Sequence, residues 1–359
     1  MKNKKKILSL IACLSLLSSC NKNSPSSSLS SNATTSTVSS TVTPTPSKTV
    51  EELNKELFEN YAIFTNTSDG SLRLDGFKNE IPNELLNLET IIIPEAINEK
   101  ALTELYNASN GLFNIFQNTK TIKISSNVKY IYYSTNTSNT LSSSPFVNLP
   151  NLENIEVDSN NQLYYSKGNC LIKKENNIII CGWKDVEIPE EVTTLRGLAF
   201  SNNQSITTIK LNSQLDNVYY ESSSSSKYYN SYTSFKNLDN LISIDIGDNT
   251  KFRTSGNVLY NLNNNIIAAW GDVTLSEEAN IKVINLRDFT SITSVIISNS
   301  VDTITSYAFA NTKIKTLIIP ENVMYISGDS LQEMKYLESI TSNSSKFSTD
   351  LGKNCLINT

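Results

Sequence analysis

Apolar residues recur along this chain in one phrase. Its clearest form runs Ile292-x-x-Val295-x-Ile297, then Val301, Ile304 and Ala308-Phe309. A second copy follows about 22 residues later as Ile314, Leu317, Ile319, Val323, Ile326 and Leu331. The alternation in the first part puts every second side chain on one face, which predicts a short strand. Pro94, Pro189 and Pro320 follow such strands and end them, because proline has no N–H to offer a ladder. The later Val and Ile bring the chain back toward the core, and Ala-Phe fills the turn. One unit cannot bury this face alone. Units therefore stack and their strands pair in parallel.

Looser copies fill most of the chain from Leu85 on. They include Leu88-Ile91-Ile93, Ile122-Ile124-Val128-Ile131 closing at Phe146, and Leu152-Ile155-Val157. Val186-Ile188-Val192-Leu195 closes at Ala199-Phe200, and Ile206-Ile209-Leu211-Leu215-Val218 closes at Phe235. Leu241-Ile244-Ile246 and Leu337-Ile340 begin two more.

Two excursions, from Gly168 to Cys181 and from Gly256 to Ala269, each place two apolar runs around an Asn-rich turn and predict β-hairpins. With Glu175-Asn176 as the turn centre, Cys170 faces Cys181. Two readings stand: a cross-strand disulfide, or two buried free thiols where the sister hairpin carries Val258 and Ala269. Asn354-Cys355-Leu356-Ile357 matches the start of these hairpins, so the pattern breaks off partway through a third. That reads as a truncated frame or a ragged natural end, with Cys355 unpaired.

The N-terminal part differs. Thr49-Val50-Glu51-Glu52 fits a capping box, and Leu53, Leu57 and Tyr61 follow at helical spacing. A helix from Val50 to Ala62 is expected, covering the first open end of the stack. Before it, Asn21–Lys48 is rich in Ser, Thr and Pro and is expected to be an extended tether. Met1–Cys20 has a basic start and an apolar run from Ile7 to Leu17, too short for a bilayer span of roughly 20 residues. Its end, Leu17-Ser18-Ser19-Cys20, resembles the lipobox of bacterial lipoproteins, which implies acylation at Cys20 and a lipid anchor. The expected organisation is a signal over 1–20, a tether over 21–48, a helix and capping region over 49–84, and repeats over 85–359.

The phrase Leu-x-x-Ile-x-Ile-Pro-x-x-Val-x-x-Ile-x-x-x-Ala-Phe resembles the BspA-type leucine-rich repeat of bacterial surface proteins. Residues 186–200 and 292–309 carry it most fully. The resemblance implies a mainly β solenoid of parallel strands, with hairpins between repeats. It also implies a place on the outer face of a bacterial envelope and adhesion to host matrix or to other cells.

Composition narrows the chemistry. The chain has no histidine and five cysteines, so histidine-based nucleophilic catalysis is out of reach and zinc sites of the His/Cys type lose most of their ligands. No phosphate loop or Gly-rich dinucleotide turn occurs, and no carboxylate pair stands out. No enzyme activity, cofactor or metal is expected. Asp158-x-Asn160 and Asp245-x-x-Asp248 hint at calcium but complete no EF-hand loop, and turn residues are the better reading. The net charge is -5, or -9 without Lys2, Lys4, Lys5 and Lys6. An acidic chain without a basic cluster does not suit nucleic acid.

Two insertions break the phrase at the same phase. The clean copy has four residues between Ile304 and Phe309, against fourteen between Ile131 and Phe146 and sixteen between Val218 and Phe235. The first insertion begins at Tyr132-Tyr133. The second begins at Tyr219-Tyr220 and contains Tyr228, Tyr229 and Tyr232. Tyr, Ser and Asn together suit binding loops, since Tyr offers contact area at low entropy cost. Both loops are expected at one edge of the stack, about 15 Å apart at strand spacing. These seven tyrosines are the candidate contacts for a host or neighbouring-cell protein or glycan. The alternative is a structural part of the envelope without a soluble ligand. A carbohydrate-active enzyme on the same scaffold is a more distant third.

Overall fold

A computed structural model describes residues 48–106, 111–132, 144–195, 198–218, 233–350 and 355–358. Helix α1 spans Val50–Asn60 and is opened by the expected capping box. The Thr49 side chain accepts from the Glu52 N–H at 3.2 Å, and Glu52 accepts from the Thr49 N–H at 2.8 Å. The helix buries Leu57 and Phe58. It ends two residues earlier than its apolar spacing suggests, because the chain turns at Tyr61 into a strand.

That strand, β1 (Ala62–Asn66), pairs antiparallel with β2 (Leu72–Phe77). Neither was expected in the capping region. After the short helix α2 (Asn83–Leu86) come β3 (Thr90–Ile92), β4 (Ala96–Ile97), β5 (Lys100–Tyr106), β6 (Thr121–Ile124), β7 (Tyr130–Tyr132) and β8 (Asn154–Val157). Two parallel ladders result. In β3-β6-β8, Ile91, Ile122 and Ile155 align across the strands. In β2-β5-β7, Leu74, Leu105 and Ile131 do so. The side chain of Asn54 in α1 bonds to Thr90 O at 3.0 Å and to Ile92 N at 2.7 Å. It thereby supplies β3 with the partners an edge strand otherwise lacks.

Next come β9 (Tyr164–Lys167), β10 (Cys170–Lys173) and β11 (Ile178–Gly182), a three-stranded antiparallel meander. Then follow β12 (Asp185–Glu187), β13 (Thr194–Leu195), β14 (Thr208–Lys210), β15 (Asn217–Val218) and β16 (Ser243–Asp245). Strands β12-β14-β16 and β13-β15 form parallel ladders. A second meander has β17 (Phe252–Ser255), β18 (Val258–Asn261) and β19 (Ile266–Ala269). The expected hairpins are thus three-stranded, and β9 and β17 were missed.

The last units use β20 (Gly271–Thr274), β21 (Val283–Ile284), β22 (Ile292–Ile296), β23 (Thr303–Ile304), β24 (Thr316–Ile319), β25 (Tyr325–Ile326) and β26 (Ser339–Ser342). Parallel pairs are β20-β22, β24-β26 and β21-β23-β25. One of these units, with Val273, Leu275, Ile281 and Ile284 buried, is absent from the sequence pattern above. Strands β27 (Phe347–Asp350) and β28 (Cys355–Asn358) pair antiparallel with Asp350 facing Cys355. This matches Lys167 facing Cys170 and Ser255 facing Val258 in the two meanders.

Asparagine holds the units together in two ways. Ten described asparagines, Asn202 and Asn237 among them, adopt positive φ at turns, between 47° and 62°, a conformation Asn tolerates better than most residues. Three others are buried and bridge units. Asn161 donates to Ser125 O and Val128 O, Asn212 to Pro189 O and Val192 O, and Asn249 to Asn212 O and Leu215 O. Each carbonyl oxygen accepts from two backbone N–H groups just ahead of it, as Asn212 does from Gln214 and Leu215. The meanders join the following unit at glycines. A Cβ on Gly168 would lie 1.9 Å from Glu187 O, and one on Gly256 would lie 2.0 Å from Thr274 O. Only glycine fits there, and both residues have φ near +60°.

The closing aromatics Phe146, Phe200, Phe235 and Phe309 are all buried. Apolar side chains form two clusters. The first meander stands between them. Cys170, Ile172 and Ile179 enter one cluster, while Leu171, Ile180, Cys181 and Trp183 enter the other.

Candidate functional site

Of the residues singled out from sequence, Cys20, Tyr133, Tyr219, Tyr220, Tyr228, Tyr229 and Tyr232 lie outside the described residues. Tyr132 and the two hairpin cysteines lie within them.

Both cysteines are free thiols. The expected register holds at the turn, where Lys173 faces Ile178 and Ile172 faces Ile179. A bulge between Leu171 and Ile172 then shifts it by one, so Cys170 faces Gly182 and Cys181 faces Leu171. Residues opposite each other across antiparallel strands share a face, and neighbours along a strand do not. The two sulfurs therefore point into different clusters, which corrects the disulfide reading. The first hairpin is one residue longer than the second. The tryptophans mark this, since Trp183 N bonds Asn169 O and Trp270 N bonds Asn257 O, both at 3.1 Å. Cys181 thus corresponds to Ala268, not Ala269. Burial pushes the Cys170 thiol well up and the Cys181 thiol up to about 12.

The calcium candidates are turns. Asp158 accepts from Asn160 N at 2.8 Å, and Asp245 accepts from Gly247 N at 2.9 Å. Among the described residues, no group of three or more His, Cys, Asp or Glu is placed to hold a metal ion.

Tyr132 belongs to a built surface. In the β2-β5-β7 ladder, buried Leu74, Leu105 and Ile131 point inward, so their neighbours point out. One outward row is Arg73-Glu104-Tyr130. The next pairs Tyr106 with Tyr132, and Asp75, one step beyond Leu74, continues it. The rows depend on a bulge between Leu72 and Arg73, which brings Arg73 opposite Glu104. Tyr130 is 52% exposed and Tyr132 37%. Their rings lie 6.0 Å apart at 19°, and the Tyr106 ring lies 6.2 Å from Tyr132 at 62°. The Arg73 guanidinium sits 4.7 Å from the Tyr106 ring centre and 2.7 Å from the Asp75 carboxylate. Partial burial and the neighbouring Glu104 carboxylate raise the Tyr132 hydroxyl above its ordinary range. Tyr106, Tyr130, Arg73 and Glu104 were not singled out from sequence. Tyr130-x-Tyr132 shows the alternation, but its juxtaposition with Tyr106 exists only through strand register.

The second insertion begins beside a cleft of about 330 Å³ lined by Asp216, Asn217, Val218, Lys251, Phe252 and neighbouring residues of β18 and β19. Strands β7 and β15, where the two insertions begin, are in separate sheets with the first meander between them in the chain. The 15 Å expectation treated them as one ladder.

Comparison with known proteins bears on most of the repeat region. No curated protein matches the chain. Among solved structures, a leucine-rich repeat protein from Eubacterium ventriosum is similar at 14% identity. The match covers 84% of this chain and 98% of that one, with a TM-score of 0.34. A leucine rich cell surface protein from Faecalibacterium prausnitzii matches at 14% identity over 78% and 86% of the two chains, also with a TM-score of 0.34. The pneumococcal vaccine antigen PcpA matches at 16% identity over 71% and 51%, with a TM-score of 0.27. The model of the BspA type leucine rich repeat region matches residues 136–265 and 270–359 in six copies, which is more than half of the chain. The chain belongs to the BspA-type leucine-rich repeat family.

Proposed function

We propose that this chain is a bacterial surface lipoprotein, anchored through acylated Cys20, that binds a macromolecule of the host or of a neighbouring cell. The observation that carries the reading is the outward patch on β2-β5-β7. It gathers three tyrosines, an arginine and two carboxylates on a rigid parallel ladder, at the root of the first Tyr-rich insertion. Rigid elements that present aromatic and adaptable polar groups suit recognition. The second insertion, with Tyr219, Tyr220, Tyr228, Tyr229 and Tyr232, begins at the same phase of its unit and is assigned the same role, as is Tyr133 in the first.

Binding without turnover is favoured by the electrostatics. A glycosidase-type general acid needs a carboxyl raised toward neutrality. Among the described residues, each carboxylate with a displaced ionisation is displaced downward, by hydrogen bonds from hydroxyls, N–H groups or lysine. Adhesion of cells displaying the chain, with and without Tyr219–Ser234, tests the loop assignment. Reduced adhesion is expected on deletion, and unchanged adhesion overturns the assignment.

A further inference from the structure

We infer that the patch formed by Tyr106, Tyr130 and Tyr132 with Arg73, Asp75 and Glu104 is a binding site for a neutral glycan. The inference rests on the surface-binding reading and names the ligand class for one place on that surface.

Size comes first. Three strands at about 4.8 Å spacing make a strip roughly 10 Å across, and two outward rows add about 7 Å along the strands. A stable protein partner needs on the order of 800 Å² from each side. The strip is far smaller and matches a short run of sugar rings.

The chemistry agrees. A sugar ring has an apolar face of C–H groups and a rim of hydroxyls. Tyrosine rings offer the negative face of their π-systems to such C–H groups. The Tyr130 and Tyr132 rings lie 6.0 Å apart at 19°, and both side chains are exposed, so sugar C–H groups can reach them from solvent. Carboxylates accept from two hydroxyls at once, and a guanidinium donates in a planar fork. Asp75, Glu104 and Arg73 supply these groups beside the rings.

Charge selects within glycans. Arg73 is paired with Asp75 at 2.7 Å, which leaves Glu104 to give the patch its sign. A sialylated or sulfated glycan, or an anionic lipid headgroup, would meet repulsion there. A quaternary ammonium is the other ligand that aromatic rings and a carboxylate attract. It requires rings converging around the cation, whereas Tyr130 and Tyr132 are nearly parallel and one face of Tyr106 already carries Arg73.

The test uses the full chain on an array of neutral oligosaccharides, their sialylated counterparts and immobilised choline. Binding is expected to a subset of neutral glycans. Tyr130→Ala and Tyr132→Ala should each weaken it at least tenfold. Tyr130→Phe, which keeps the ring, should retain most of it and guards against loss through misfolding, as does an unchanged unfolding midpoint. Glu104→Gln should weaken it less than ring removal. Capture of choline or sialylated glycans alone, no glycan binding, or neutral-glycan binding that survives both alanine variants overturns the inference. Adhesion of displaying cells separates the two levels. If adhesion requires the chain while the array stays blank, the glycan inference fails and the surface-binding reading stands. If neither is seen, both fail.

Discussion

Asn212→Ala should be among the most damaging single changes in this chain. The side chain is 4% exposed. Its amide donates to Pro189 O and to Val192 O, the latter at 2.8 Å. Its oxygen accepts from Gln214 N at 3.0 Å and Leu215 N at 2.6 Å. Two of these four partners have another recourse. Pro189 O still accepts from Val192 N, and Gln214 is exposed. Val192 O and Leu215 N belong to fully buried residues and would be left alone. An orphaned buried polar group costs about 1–3 kcal/mol, so the pair costs about 2–6 kcal/mol, and a central figure of roughly 4 kcal/mol is expected. The chain contains its own control. At a corresponding place Ser344 donates to Val323 O at 2.7 Å and accepts from Lys346 N at 3.2 Å, one bond of each kind instead of two. Asn212→Ser should therefore cost about half as much as Asn212→Ala. Urea unfolding followed by circular dichroism gives the totals, and amide exchange at Leu215 reports the local loss. A cost of Asn212→Ala below about 1 kcal/mol, or a serine variant as unstable as the alanine one, would falsify the bridging role.

Lys236 is buried, donates to Arg287 O and lies 3.8 Å from the Phe289 ring centre. Burial lowers its ionisation to about 8 from an ordinary 10.5, against the pull of Asp288. Between those values the unfolded chain holds a proton that the folded chain lacks. Stability should therefore rise with pH across that window by roughly 3 kcal/mol. Lys236→Met should abolish the rise and raise the unfolding midpoint at pH 7; a wild-type midpoint flat from pH 8 to 10 would contradict this. The native protein should resist thiol alkylation at Cys170 and Cys181, and both should label after denaturation without reductant, as read by mass spectrometry. A loss of two mass units there would instead reveal a disulfide. Cells fed an alkyne fatty acid should label the chain, and Cys20→Ser should remove the label; label persisting in the variant would place the acyl group elsewhere.

The parts of the fold visible in the sequence are those fixed by local chemistry. Thr49 and Glu52 specify a helix start within four residues. The Val-Ile-Phe phrase carries the unit, because burial repeats wherever the phrase does. What escaped depends on residues far apart. The bulge at Leu171, the extra residue in the first hairpin and the strand β9 ahead of it all decide where Cys170 points, and none alters the apolar pattern. The abundant asparagines look like composition until Asn161, Asn212 and Asn249 are seen to bridge successive units. Tyr132 stood out because an insertion follows it. Tyr106 and Arg73 joined it only through the register of three strands.

Three of the parallel ladders are followed along the chain by antiparallel strands. The strands β3-β6-β8 precede β9–β11, β12-β14-β16 precede β17–β19, and β24-β26 precede β27–β28. The junctions that follow the first two meanders share the same close glycine contact, at Gly168 and Gly256. The natural module of inheritance is then the ladder with its meander, rather than the single repeat. Recombination between the glycine junctions would add or remove a whole block and leave each junction as it was, so paralogues should differ in length by blocks and vary least where meander meets ladder.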